Sequence, residues 1–239
     1  MNYFTFPDEA AWLDALADQW QQTSGQAIHR RGSFKAALCG QPLFLPFYRR
    51  LARLDTAWSA MRFFIVNEQC VSPKHRNSHY RAIFEAFYPH RIHLERWKTE
   101  IGKPEAVAAD YERRLKVELS DPPRLDLAIL DVSETASSPP ALLADEAEEI
   151  SPLATSQSGR QSSSSSRLAL TLHLLKQARA LWLFARAPLT LAQIENTLAD
   201  ASSPLGALVK EREASVILKK TGEANADAVF YCAEATDAQ

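Results

Sequence analysis

Three stretches of this sequence carry the residues able to do chemistry, and each follows or contains an apolar run. The first, ALCGQPLFLPFYRRLA (37–52), offers Cys39 and Gly40. The second, FFIVNEQCVSPKHRNSHYR (63–81), is the richest, with Glu68, Cys70, His75 and His79. The third, LDLAILDVSETASSP (125–139), brings the carboxylates Asp131 and Glu134 after its apolar run, and has no His, Cys, Lys or Gly. A histidine titrates near neutrality and is the usual group for taking up a proton in a hydrolytic step. His79 and Glu68 are therefore the candidates for acid–base work, with His75 close by in the chain. Asp131 and Glu134 form a carboxylate pair, which acts as acid and base when burial separates the two pKa values. In a loop rich in Ser and Thr they are expected to be solvated. Cys39, Cys70 and the histidines lack the tight ligand spacing of a metal site. No metal and no cofactor is expected, and the cysteines read as free, buried thiols.

The elements that must position these groups alternate. A helix is expected over 8–22, capped by Asp8, with Leu13, Leu16, Ala17 and Trp20 on one face. SFKAAL (33–38) and MRFFIV (61–66) read as buried strands, with a helix from Pro46 to Leu54 between them. Further helices are expected at 78–87, 104–119 and 188–200. Further strands are expected at 124–130, 167–172, 180–185, 214–219 and 228–233, and His93 is expected to face outward. The alternation predicts an α/β fold of Rossmann-like type: a doubly wound, mainly parallel sheet with helices on both faces. In such a sheet the functional groups gather beyond the carboxyl ends of the strands, where the three stretches lie.

With 239 residues, a hydrophobic fraction of 46% and a charged fraction of 23%, the chain has ordinary globular composition. It is read as one domain over 1–239, with a flexible serine-rich loop at about 155–166. Lys and Arg total 27 against 29 Asp and Glu, a net charge of -2, which gives no reason to expect nucleic acid or a membrane surface as partner. No apolar run approaches a bilayer span, and the N-terminus lacks the basic and apolar regions of a signal peptide. Three widely spaced cysteines form no disulfide framework, so a cytoplasmic location is expected.

Taken together, CGQPLF, FYRRLA, NEQ, SHYR, LDVSETASSP and RLALTL resemble, in order and spacing, the motifs of the 6-phosphogluconolactonase and glucosamine-6-phosphate isomerase family. That family carries S-G-G-S-T-P and L-Y-x-x-L, then D-E-R and S-N-Y-R, then G-x-G-x-D-G-H-x-A-S-L-F-P, then R-[IV]-T-L-T. The resemblance runs from about residue 8 to residue 233. It implies a sugar-phosphate ligand and maps the substrate site onto Gly40, Asn67, Glu68, Gln69 and Arg167.

The departures bear on function. In the family's glycine-rich turn, backbone N–H groups converge on a phosphate, which needs small, pliant residues. Here only Gly40 persists, followed by Gln41, Pro42 and Leu43, and proline removes one donor outright. The D-E-R element becomes Asn67, Glu68 and Gln69, so a guanidinium is lost where a dianion is expected. A charged hydrogen bond of that kind contributes roughly 1.5–3 kcal/mol. In the third stretch D-G-H is missing between Glu134 and Thr135, and with it the residue corresponding to the family's base. The expected function is a 6-phosphogluconolactonase-like protein, inactive or strongly impaired, acting by protein association or weak sugar-phosphate sensing. Exposure of the apolar PLFLPFY (42–48) would supply a partner surface, whereas burial would make it the start of a helix. The alternative is a working 6-phosphogluconolactonase with an altered site, producing 6-phosphogluconate in the pentose phosphate pathway. Isomerisation of an amino-sugar phosphate is the weakest reading, because the isomerases depend on the same third stretch.

Overall fold

The computed structural model describes residues 2–6, 8–119, 121–131, 153–157, 166–186, 196, 198–200, 204–209, 212–219 and 228–235. In chain order its elements begin β1 (Asn2–Phe6), α1 (Glu9–Arg31), β2 (Phe34–Leu38), α2 (Leu45–Leu51), β3 (Met61–Ile65) and β4 (Asn67–Gln69). Next come α3 (His79–Ala86), β5 (Leu94–Glu95), α4 (Pro104–Glu118), β6 (Leu127–Asp131), β7 (Ala154–Gln157) and β8 (Arg167–Leu170). The remainder is α5 (Leu172–Gln177), β9 (Ala180–Arg186), α6 (Pro204–Val209), β10 (Arg212–Lys219) and β11 (Ala228–Ala235).

Among the described residues the strands form two sheets. The larger has the order β1-β10-β11-β9-β6-β2-β3-β5. Its pairings are parallel except those of β11 with β10 and β9, so β11 alone runs against the rest. This is the mostly parallel central sheet with helices that the alternation implied. From β2 the chain moves outward to β3 and β5, then returns to β6 on the other flank of β2. The carboxyl ends of β2 and β6 therefore lie at a topological switch point, where such sheets leave a crevice.

Asp8 caps α1 as expected, its Oδ1 accepting from the Ala11 N–H at 2.8 Å. The helix runs past residue 22 to Arg31, because Ser24 and Ala27 continue its buried face. It stops at Gly32, whose φ of 74° is the left-handed turn that lets the N–H reach back to Ile28 O. Trp12, Leu16 and Trp20 lie on the sheet side, and Trp20 meets Phe34 edge to face at 5.0 Å. Phe44, Phe47, Tyr48 and Leu51 are all buried, with Phe44 against Phe184 at 4.9 Å. Within residues 42–48 these aromatic rings face inward, while Pro42 is exposed and Leu43, Leu45 and Pro46 are half-buried; Pro42–Phe44 is a 3-10 turn leading straight into α2. The aromatic residues of this stretch recur at helical spacing and lie on the core side, as the reading of it as the start of a helix expected.

The smaller sheet, β4-β8-β7, is antiparallel and corrects the sequence reading in three ways. NEQ is a strand, although the residues after MRFFIV read as a polar loop. RLAL pairs with it and stands apart from the central sheet. Ala154–Gln157, the start of the segment read as flexible, is a strand whose backbone is satisfied by β8. Residues 158–165 of that segment lie outside the described residues, as does most of the helix expected at 188–200. β1 was also unforeseen. It pairs in parallel with β10, from the far end of the chain.

Val66 joins the two sheets. Its N–H donates to Leu38 O at 2.9 Å at the end of β2, and its carbonyl accepts from Leu170 N at 2.8 Å at the end of β8. The chain leaves the central sheet there and enters the small one with Asn67.

Candidate functional site

Buried aromatic hydroxyl and indole groups hold the ends of β2 and β3. The Tyr48 hydroxyl donates to Cys39 O at 2.9 Å, and its burial raises the phenol well above its ordinary pKa. The Ile65 N–H donates to the Tyr111 oxygen at 2.8 Å, while Trp97 Nε1 donates to Ile65 O at 3.1 Å. Burial likewise pushes the Tyr111 phenol up, so both hydroxyls stay protonated and able to donate. Cys39, Gly40, Val66 and Asn67 thus emerge from rigid supports.

Glu68 is 4% exposed and binds the chain's own donors. Its Oε1 accepts from the N–H groups of His79 and Gln69, each at 2.9 Å. Its Oε2 accepts from the Tyr80 N–H at 2.8 Å and the Ser78 hydroxyl at 3.2 Å. Ser78 caps α3, also accepting from the Arg81 N–H at 3.3 Å. A carboxylate in this position satisfies the unpaired amides of the first turn and lies at the positive end of the helix dipole. The anion seat at the start of α3 is therefore filled from within.

His79 is 8% exposed and lies between the first two chemical stretches. Its Nδ1 is 2.7 Å from Asn67 O and 3.0 Å from Asn67 Oδ1. A carbonyl oxygen only accepts, so Nδ1 carries the proton, and the lone pair of the neutral ring is on Nε2. Asn67 Oδ1 also faces the Cys39 thiol at 3.8 Å. On its other side His79 meets Gly40. A Cβ at position 40 would come within 2.3 Å of His79 Cβ and 2.5 Å of its Cα. Position 40 is therefore glycine for closeness of approach.

The expected site residues divide accordingly. Gly40, Asn67, Glu68 and His79 form one contiguous group over the carboxyl ends of β2 and β3. Gln69 and Arg167 sit opposite one another in the register of β4 and β8, one strand residue further out, with Arg167 exposed. His75 is an exposed turn residue whose Nδ1 accepts from the Asn77 N–H. Cys39 is a buried free thiol and Cys70 a half-buried one, raised in pKa by burial and then by Glu105 and Glu68. Asp131, at the end of β6, is half-buried. Glu134, Thr135 and the position of the missing D-G-H lie outside the described residues. Tyr48 and Tyr111 read from the sequence only as packing residues, and the roles of Ser78 and Trp97 went unnoticed, though Ser before a helical pattern is a cap signal. Away from this edge His93, exposed as expected, groups with Glu95 and Glu118, their ligand atoms within 4.8 Å of one another. There Glu95 is already bonded to Arg114 and to His93.

The family model described as glucosamine-6-phosphate isomerases/6-phosphogluconolactonase matches residues 7–217. The chain belongs to this family. A 6-phosphogluconolactonase of Rhizobium meliloti (strain 1021) is 30% identical over 82 residues, 34% of this chain and 35% of that protein. The match thus spans about a third of that relative's length. The crystal structure of 6-phosphogluconolactonase from Thermotoga maritima aligns with a TM-score of 0.71 at 20% identity, covering 86% of this chain and 93% of that one. The Trypanosoma brucei 6-phosphogluconolactonase gives 0.69 at 18% identity, covering 87% and 90%. At these identities the structural likeness is one of fold. Among the described residues no helix is long and apolar enough to cross a membrane.

Within this 6-phosphogluconolactonase-like framework, the turn after β2 spends its own amides. Phe44 N–H donates to Gln41 O at 3.0 Å, Leu45 N–H donates to Pro42 O, and Pro42 has no N–H. Of the positions corresponding to the family's S-G-G-S-T, Pro42 is the one that loses its N–H by residue type.

Proposed function

We propose that this chain is a 6-phosphogluconolactonase-like protein whose lactonase turnover is strongly impaired, and whose activity is weak binding of a sugar phosphate at the carboxyl edge of β2, β3 and β6. The observation that carries the reading is Pro42 in the self-bonded turn Gln41–Leu45, which takes one amide out of the phosphate cradle. Two features of the second stretch support it. Gln69 brings no positive charge, and the Glu68 carboxylate occupies the start of α3. In this reading Gly40, Asn67 and Gln69 line the ligand site, Arg167 supplies its remaining guanidinium, and Glu68 acts as the internal anchor. Burial of Phe44, Phe47 and Tyr48 takes their rings out of any partner surface, which favours ligand binding over protein association.

The test pairs turnover with binding. Purified protein is assayed on 6-phosphogluconolactone against spontaneous hydrolysis, and its melting is followed with 6-phosphogluconate. Turnover far below the ~10 s⁻¹ typical of enzymes is expected. So is a raised melting temperature at millimolar ligand; saturation at a hundredfold excess over Kd would add about 2.7 kcal/mol. Turnover at or above that typical rate, or no thermal shift at any millimolar concentration, would overturn the reading.

A further inference from the structure

The geometry points to His79 Nε2 as the proton acceptor for whatever hydrolytic turnover this chain retains, in place of the base missing from the third stretch. This rests on the lactonase-like reading of the site. His79 is more than nine-tenths buried, yet its Nε2 has no hydrogen-bond partner among the described residues. A buried imidazole normally satisfies both nitrogens, and one left open at the carboxyl edge of a parallel sheet has a ligand-facing lone pair.

Three further features suit it to the task. Asn67 O and Oδ1 both face Nδ1, fixing the tautomer and the orientation of the ring. The ring cannot swing away, because its Cβ and Cγ lie against Gly40 and its backbone N–H is tied to Glu68. Glu68, whose oxygens already accept four hydrogen bonds, is engaged elsewhere. The step balances without a co-reactant beyond water. Water oxygen bonds to the lactone carbonyl carbon as Nε2 takes its proton, and the carbonyl pair moves to oxygen. Collapse then breaks the ring C–O bond, and the proton on Nε2 passes to the departing ring oxygen, giving the hydroxy acid.

The experiment compares the wild-type chain, His79→Gln and His79→Asn by single-time-course lactone hydrolysis, each with its melting curve and 6-phosphogluconate binding. Asn keeps a donor able to reach Asn67 O and is the family's own residue at this place, so it serves where Gln does not fold. General-base assistance contributes typically 10²–10⁴-fold. Slow wild-type turnover that falls to the spontaneous rate in both folded variants, with ligand binding within about threefold of wild type, is the expected result. Turnover unchanged in a folded variant overturns the inference. So does a wild-type rate equal to background, which leaves the binding reading standing. Fast wild-type turnover overturns the impaired reading instead, and the variants then decide on His79 alone.

Discussion

Replacing Gly40 with alanine tests whether the approach of the β2 loop to α3 is as tight as the coordinates show. The new methyl carbon would lie 2.3 Å from His79 Cβ and 2.5 Å from His79 Cα. Carbon atoms rest at about 3.5–4.0 Å, so the two segments must part by at least about 1.2 Å. The neighbour is backbone at the first residue of α3, and cannot yield by rotating a side chain. Parting strains the bonds from His79 and Tyr80 N–H to Glu68. Overpacking costs typically 1–3 kcal/mol, and weakening one charged hydrogen bond adds of the order of 1.5 kcal/mol. The expected loss is about 2.5–4.5 kcal/mol, or a melting temperature lower by about 5–18 °C for a chain of this size. Gly25 is the internal control: it lies within α1 with nothing within 4 Å of an added Cβ. Gly25→Ala should stabilise by about 0.4–1 kcal/mol. Urea and thermal unfolding of the three proteins read both effects, and a Gly40→Ala protein as stable as wild type would refute the packing argument.

Glu68→Gln exchanges one acceptor oxygen for an amide donor facing N–H and hydroxyl donors, and should cost about 2–4 kcal/mol in urea unfolding. At the opposite edge of the sheet, Asp126 is buried, accepting from Lys35 N–H at 2.8 Å and pairing with Arg31 at 2.8 Å and Arg179 at 3.6 Å. Asp126→Ala removes a buried acceptor from the Lys35 amide and the Arg31 guanidinium, so a loss of about 2–4 kcal/mol is expected, measured the same way. The hydrogen bond from Arg96 holds the Glu100 carboxyl down at about 2. A carboxyl with a lowered folded pKa stabilises above its ordinary value of 4.5 and loses that contribution as pH falls through 2. The pair is largely exposed, so Glu100→Gln should cost only about 0.2–0.5 kcal/mol at pH 7, with the difference from wild type gone by pH 2.

Local pattern was enough for the parts of the fold whose signal is local. MRFFIV, SFKAAL and ALWLFA are apolar runs of strand length, and Asp8 and Pro104 mark helix starts; each lies where it was expected. Elements stabilised by distant partners carried no such mark. Asn2–Phe6 and Asn67–Gln69 are short, and only their pairing with β10 and β8 makes them strands. The chemical residues were legible as types: His79 and Glu68 stood out within one short stretch. Their division of labour was not, because it depends on a helix start folding back over β4. That contact turns Glu68 into an anchor for amides and leaves His79 with one nitrogen bound and one open. Gly40 likewise read as the remnant of a flexible turn, whereas its neighbours make it a point of closest contact.

The peptide of Val66, bonded to Leu38 on one side and to Leu170 on the other, ties the fates of the two sheets together. Neither can shift register or fray there without breaking a bond shared with the other, so the region around His79 is expected to open as one cooperative unit. Hydrogen exchange is expected to show the amides of Val66 and Leu170 opening in step.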